Sequence, residues 1–114
     1  MKTLEQQYAE KVFEKVKVYK DSPNRDQYAA MAQELPILIR TAGLAEALAF
    51  TNSRKENPPK DLLDHLSDVL GYTNREALLE RSRAAGMQEY IYLTRCSMLA
   101  LKWFKRFAQS ELGS

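Results

Sequence analysis

From Leu4 to Leu112 apolar side chains return every three or four positions, and the return lapses only around glycine, proline and a few polar clusters. Such spacing lines one face of a helix, and no stretch alternates with the period of two that a half-buried strand needs. The chain therefore folds by laying helix against helix. Where each helix begins and ends is then a matter of punctuation.

The spacing predicts a first helix from about Thr3 to Lys20. Its stripe is Leu4, Tyr8, Val12, Val16 and Tyr19, widened by Phe13, and Lys11, Lys15 and Lys17 with Glu10 and Glu14 take the wet face. The segment DSPNRDQ breaks it, and either Ser22 with Pro23 or Asn24 with Gln27 can open a second helix, about Arg25 to Thr41. Tyr28, Met31, Ala32, Leu35, Leu38 and Ile39 form its apolar face. Pro36 lies inside it; lacking an N–H and crowding the turn before it, Pro36 predicts a kink or restart near Glu34–Leu35. Gly43 ends that helix and, with Glu46, caps a third that stops near Ser53.

The loop SRKENPPK leads to a fourth helix, with Asn57 as cap and Pro58 in first position. Leu62, Leu63, Leu66, Val69 and Leu70 line it, and Gly71 stops it. Thr73 and Glu76 suggest a capping box for a short fifth helix, and Gly86 separates that from the last, about Met87 to Leu112. There Tyr90, Leu93, Ser97, Ala100, Phe104 and Phe107 trace one side, and Ile91, Met98, Leu101 and Ala108 broaden it. A helix apolar over more than one face belongs at the centre of a core. The expected fold is all-α: a single compact domain, residues 1–114, of about six helices, with a bundle-like core and a long C-terminal helix.

With 45% apolar and 28% charged residues the chain is suited to a packed core rather than to disorder. No run approaches the roughly 18 apolar residues of a membrane span, and no basic start followed by an apolar core marks a secretory signal, so a cytoplasmic protein with no membrane partner is expected. Cys96 has no second cysteine to pair with.

Catalytic groups are scarce. His65 is the one histidine, with Asp61 and Asp68 a turn away on either side, so a local carboxylate pairing is easy; it is expected as a surface or boundary residue. Cys96 faces inward by periodicity and lacks a matched base, so it is expected to pack as a small hydrophobe. Asp61, Asp64 and Asp68 share one helical face, which suits a solvated or protein-facing surface better than a metal site, because no Glu/His set accompanies them. The four glycines are isolated, so no phosphate-cradling loop exists. No catalytic residue, metal or cofactor is expected, and the chain does not read as an enzyme.

The net charge of +2 hides an uneven distribution. Residues 56–80 hold two basic and six acidic groups, whereas residues 81–114 hold six basic and two acidic. In LKWFKRFAQSE, Lys102 and Arg106 share a face with Lys105 beside them, and Trp103, Phe104 and Phe107 anchor the same segment. The cations either solvate a core helix or meet phosphates without reading sequence. Arg54 and Lys55 form a second basic group that Lys17, Arg40, Lys20 and Arg25 could join. Tyr72 and Tyr92 are of a type that stacks at interfaces.

LPILIRTAGLAEALAF at 35–50, YLTR at 92–95 and WFKRFA at 103–108 together resemble the small helical subunit of Cmr-type, type III-B CRISPR effector complexes, and the resemblance extends from LEQQYA at 4–9 to KRFAQSEL at 105–112. It implies a non-catalytic subunit of an RNA-guided antiviral complex. Copies of the subunit would stack in an inner filament along guide RNA paired with target RNA. The protein partners implied are the backbone subunit, the large polymerase-like subunit and further copies of the chain. On this basis Lys17, Arg40, Arg54, Lys55, Lys102, Lys105 and Arg106 are candidates for the RNA backbone, and Asp61, Asp64 and Asp68 for a protein interface. The alternative is a helical protein adaptor that never touches RNA. In one place the chain departs from the pattern: relatives often carry a carboxylate after the Thr-Arg pair, where Cys96 stands here.

Overall fold

In the computed structural model, residues 1–113 are described and form six helices: α1 Leu4–Val18, α2 Arg25–Ala42, α3 Leu44–Asn52, α4 Asn57–Val69, α5 Arg75–Ala84 and α6 Met87–Glu111. The all-α expectation holds, with α6 the longest element and the centre of the packing. It lies mainly against α1 and α2; α2 also meets α3 and α4, and α5 closes against α3 and α4. No helix among the described residues is long and apolar enough to cross a membrane.

The start of α1 is a reciprocal box. The Gln6 N–H donates to Thr3 Oγ1 at 3.1 Å, and the Thr3 N–H donates to Gln6 Oε1 at 2.8 Å. Tyr8, Val12 and Val16 are buried, while Leu4, at the end of the same stripe, stays exposed. Asn24 precedes α2 without capping it through its side chain; instead Ser22 Oγ accepts the Asn24 N–H at 3.1 Å and braces the turn. Pro36 neither breaks nor restarts α2, which runs unbroken from Arg25 to Ala42. The proline is itself buried, so tertiary packing of Leu35, Pro36 and Ile39 outweighs the loss of one backbone bond.

Gly43, at φ +91°, is needed for its conformation: its N–H closes α2 on Ile39 O at 2.9 Å, and its own carbonyl accepts from Ala47 at 3.0 Å to open α3. The side-chain cap for α3 comes from neither Gly43 nor Glu46 but from α6, where Tyr90 Oη accepts the Ala45 N–H at 3.0 Å. At α4 the cap position is Glu56, not Asn57, and both Pro58 and Pro59 fall in the first turn, where missing N–H groups cost nothing, with their rings buried. Gly71, also at φ +91°, ends the α4 segment. Asn74, rather than the Thr73–Glu76 pair, caps α5 by accepting the Ala77 N–H at 2.8 Å.

The core is built where these stripes meet. Phe104 and Leu101 of α6, Tyr28 and Leu35 of α2, Leu48 of α3, and Leu62, Leu63 and Leu66 of α4 are fully buried. Burying each such side chain contributes about 1.5–3 kcal/mol. Cys96 lies inside as expected, but Ile91, expected on the broad apolar side of the last helix, is 46% exposed.

Candidate nucleic-acid interface

The last turns of α6 sort their cations into two kinds. Lys105 and Arg106 are exposed and have no carboxylate partner among the described residues. Lys102 bends back to α1, where it pairs with Glu5 and passes 5.5 Å from the centre of the Trp103 ring. Trp103 Nε1 donates to the same carboxylate at 3.0 Å. The bonds from Lys102 and then Trp103 hold the Glu5 carboxyl below its ordinary value. Trp103 and Phe107, with ring centres 5.4 Å apart, and Phe13 of α1, 5.2 Å from Phe107, fill the seam between the helices. Phe104, one turn before Phe107, is fully buried in the core.

The second basic group is mostly committed within the chain. Arg54 lies 3.6 Å from Glu56 and 3.9 Å from Glu34, against the Phe50 ring at 5.9 Å. Lys17 pairs with Glu14 at 2.9 Å. Lys55 and Arg40 are exposed and unpaired among the described residues. Arg40 occupies the last turn of α2, where the helix dipole favours a cation. Arg54 and Lys55 lie in the loop between α3 and α4, and α3 lies mainly against α2, α4 and α5, so this group belongs to a different part of the chain from the α6 pair.

The acidic row of α4 is likewise spent on neighbours. Tyr19 Oη donates to Asp61, Asp64 faces Arg75 at 3.6 Å, and Asp68 pairs with Lys15. The Lys15 bond keeps the Asp68 carboxyl below its ordinary range. His65, for which these carboxylates are within easy reach, pairs elsewhere: its Nδ1 meets the Tyr28 hydroxyl at 2.7 Å. Among the described residues no group of three or more His, Cys, Asp or Glu side chains could hold a metal ion.

One feature was hidden from sequence. Leu4, Tyr8 and Lys11 of α1, Gly71 and Tyr72 beyond α4, and Tyr92 and Cys96 of α6 line a cleft of about 440 Å³. Tyr92 is 61% exposed, and Tyr8 is buried in the floor. Its tyrosines are Tyr92 in the YLTR motif, Tyr8 within α1 and Tyr72 just beyond α4, and only the fold brings them together.

Residues 4–111 match the profile of the family described as CRISPR-associated protein (Cas_Cmr5). A protein of Thermus thermophilus, described as CRISPR system Cmr subunit Cmr5, is 44% identical over 110 residues, which span 96% of each chain. The crystal structure of a CRISPR-associated Cmr5 family protein from the same organism superposes with a TM-score of 0.95 at 43% identity, covering 98% of this chain and 99% of that one.

Proposed function

Because the chain belongs to the CRISPR-associated Cmr5 family, we propose that within a type III-B Cmr effector complex it lies along paired guide and target RNA and contacts their phosphates. The chain is a non-catalytic structural subunit, and Cmr5 proteins assemble with other Cmr subunits. The RNA contact is the further step. What carries it is the exposed Lys105 and Arg106 on α6, which no carboxylate of the same chain neutralises among the described residues. Lys55 and Arg40 are available in the same sense; Lys102, Arg54 and Lys17 would first have to exchange an internal partner. Phosphate contact without base readout suits a subunit that serves any guide, because pairing between the strands supplies specificity. Stacking of copies into a filament would give many weak contacts a high effective concentration. In such a stack Asp61, Asp64 and Asp68 would offer a partner only the lone pairs left free by Tyr19, Arg75 and Lys15.

The test is the assembled complex carrying Lys105→Glu with Arg106→Glu. Losing two phosphate contacts should shrink the magnitude of the slope of log K against log salt by about 1.4–1.8. An unchanged slope and affinity at low salt would favour the adaptor reading. The exposed Met87 and Ile91 on α6 and Ile37 on α2 give that reading its own support, as apolar surface suited to protein.

A further inference from the structure

We infer that the cleft between α1, the turn after α4 and α6 receives an unpaired RNA nucleobase, stacked on Tyr72 and Tyr92, with Lys11 of the lining and Arg95, one turn beyond Tyr92 on α6, on the flanking phosphates. The inference rests on the RNA contact proposed above and locates a second, base-holding site for it.

Three elements converge to make the cleft. Gly71 turns the chain at φ +91°, and the Tyr72 N–H then donates to Ser67 O at 2.8 Å, which fixes the backbone at Tyr72, a residue of the cleft lining. Tyr92 joins the lining from α6, with most of its surface open to water. Between them the floor is neutral: Tyr8, Leu93 and Cys96 carry no charge. Burial lifts the Tyr8 and Tyr72 hydroxyls above their ordinary range, and the Cys96 hydrogen bond does so for Tyr92, so all three remain neutral groups able to face a base edge.

Charge at the rim selects the occupant. Glu89, the one carboxylate lining the cleft, is held by a two-pronged contact from Arg81 at 2.5 and 2.6 Å. Lys11 is exposed and unpaired among the described residues. Arg95 is exposed and unpaired in the same sense, and lies three residues beyond Tyr92 on the same side of α6. A free cation in the lining, a second one turn along α6, the exposed Tyr92 and a neutral floor match a nucleotide, which presents a flat π surface and a flanking anion. Every base has such a surface, so the cleft would hold a base without choosing one. A subunit that must work with any guide needs that tolerance.

The experiment uses the reconstituted complex loaded with RNA containing 4-thiouridine. Irradiation should cross-link RNA to Tyr72 or Tyr92. Tyr92→Leu should weaken RNA retention about fivefold or more, and Tyr92→Phe should not, because stacking needs the ring and not the hydroxyl. Tyr92 is exposed, so neither change threatens the core. Absence of cross-links in the cleft, while the Lys105/Arg106 reversal still weakens RNA binding, overturns the inference and leaves the proposed function standing. Protection of Tyr92 from hydroxyl radicals in the RNA-free complex overturns it in favour of a protein occupant. No cross-links, with neither set of substitutions affecting retention, removes both.

Discussion

The Tyr28 hydroxyl and His65 Nδ1 lie 2.7 Å apart and tie α2 to α4 beneath the Tyr19 ring, which stacks on Tyr28 at 4.2 Å. Tyr28 is fully buried, so its O–H needs an acceptor. Neutral imidazole provides one at Nδ1 and carries its own proton on Nε2; imidazolium would turn a second donor against the first. Burial, and next the Lys15 charge, hold the His65 pKa below 6.5, although Asp61, Asp64 and Asp68 pull upward.

Stability should therefore fall on mild acidification. The folded pKa lies below the unfolded one, so the unfolded chain binds more protons in this window. The contribution of His65 is complete above about pH 6.5 and is lost as pH falls through the folded value. Because the chain has a single histidine, urea midpoints measured from about pH 7.5 to about pH 5 report this group before the carboxylates titrate. His65→Gln should flatten that slope, whatever it does to the midpoint itself. A slope that survives the substitution would assign the effect elsewhere.

The cap that α6 lends to α3 can be removed one atom at a time. Tyr90→Phe deletes only the oxygen that accepts the Ala45 N–H at 3.0 Å, and should cost about 1 kcal/mol, as lost caps do. Gly43→Ala should cost more than about 1 kcal/mol, because φ is +91° and the new Cβ would sit 3.4 Å from the same hydroxyl. Denaturant melts of both variants check this; a Tyr90→Phe midpoint equal to wild type would show that water replaces the cap.

How much of this was legible beforehand follows from the range of the interactions. The helix order and most of the core came through, because Val12, Leu35, Leu63 and Phe104 announce themselves by spacing within their own helices. Caps fared worse. Thr73 and Glu76 fit a local motif as well as Asn74 does, and only geometry chooses; Tyr90 caps a helix 45 residues away. Pro36 did not restart its helix, because its buried surroundings outweigh the missing backbone bond. At the candidate interface, sequence placed the cations but not their partners: whether Lys102 is free depends on Glu5, at the other end of the chain, whereas Lys105 one turn on has no such neighbour. The tyrosine cleft was illegible for the same reason.

Ser97 is a place where the protein should be improvable. Its side chain is fully buried at the centre of α6, and its Oγ has no hydrogen-bond partner. An unsatisfied buried hydroxyl costs about 1–3 kcal/mol, and alanine is also the better helix former. Ser97→Ala should raise the urea midpoint by an amount equivalent to about 1 kcal/mol with an unchanged m value. A loss of stability would mean that the hydroxyl is satisfied in solution, most simply by bonding to a carbonyl of the preceding turn.

Glu5 restrains Lys102, and releasing that restraint should be visible in RNA binding. Glu5→Gln keeps an oxygen for the Trp103 N–H but removes the charge that holds Lys102. Because both ends of the ion pair reach solvent, the urea midpoint should scarcely move. Lys102, three residues from Lys105 and four from Arg106, then joins them as a third free cation. In the assembled complex the slope of log K against log salt should steepen by about 0.7–0.9, the increment for one added phosphate contact. The chain's only tryptophan reports the local geometry, so unchanged Trp103 emission in the isolated variant subunit would show that the seam is intact. A steeper slope with that emission preserved places Lys102 against RNA; an unaltered slope means that the cation points elsewhere even when free.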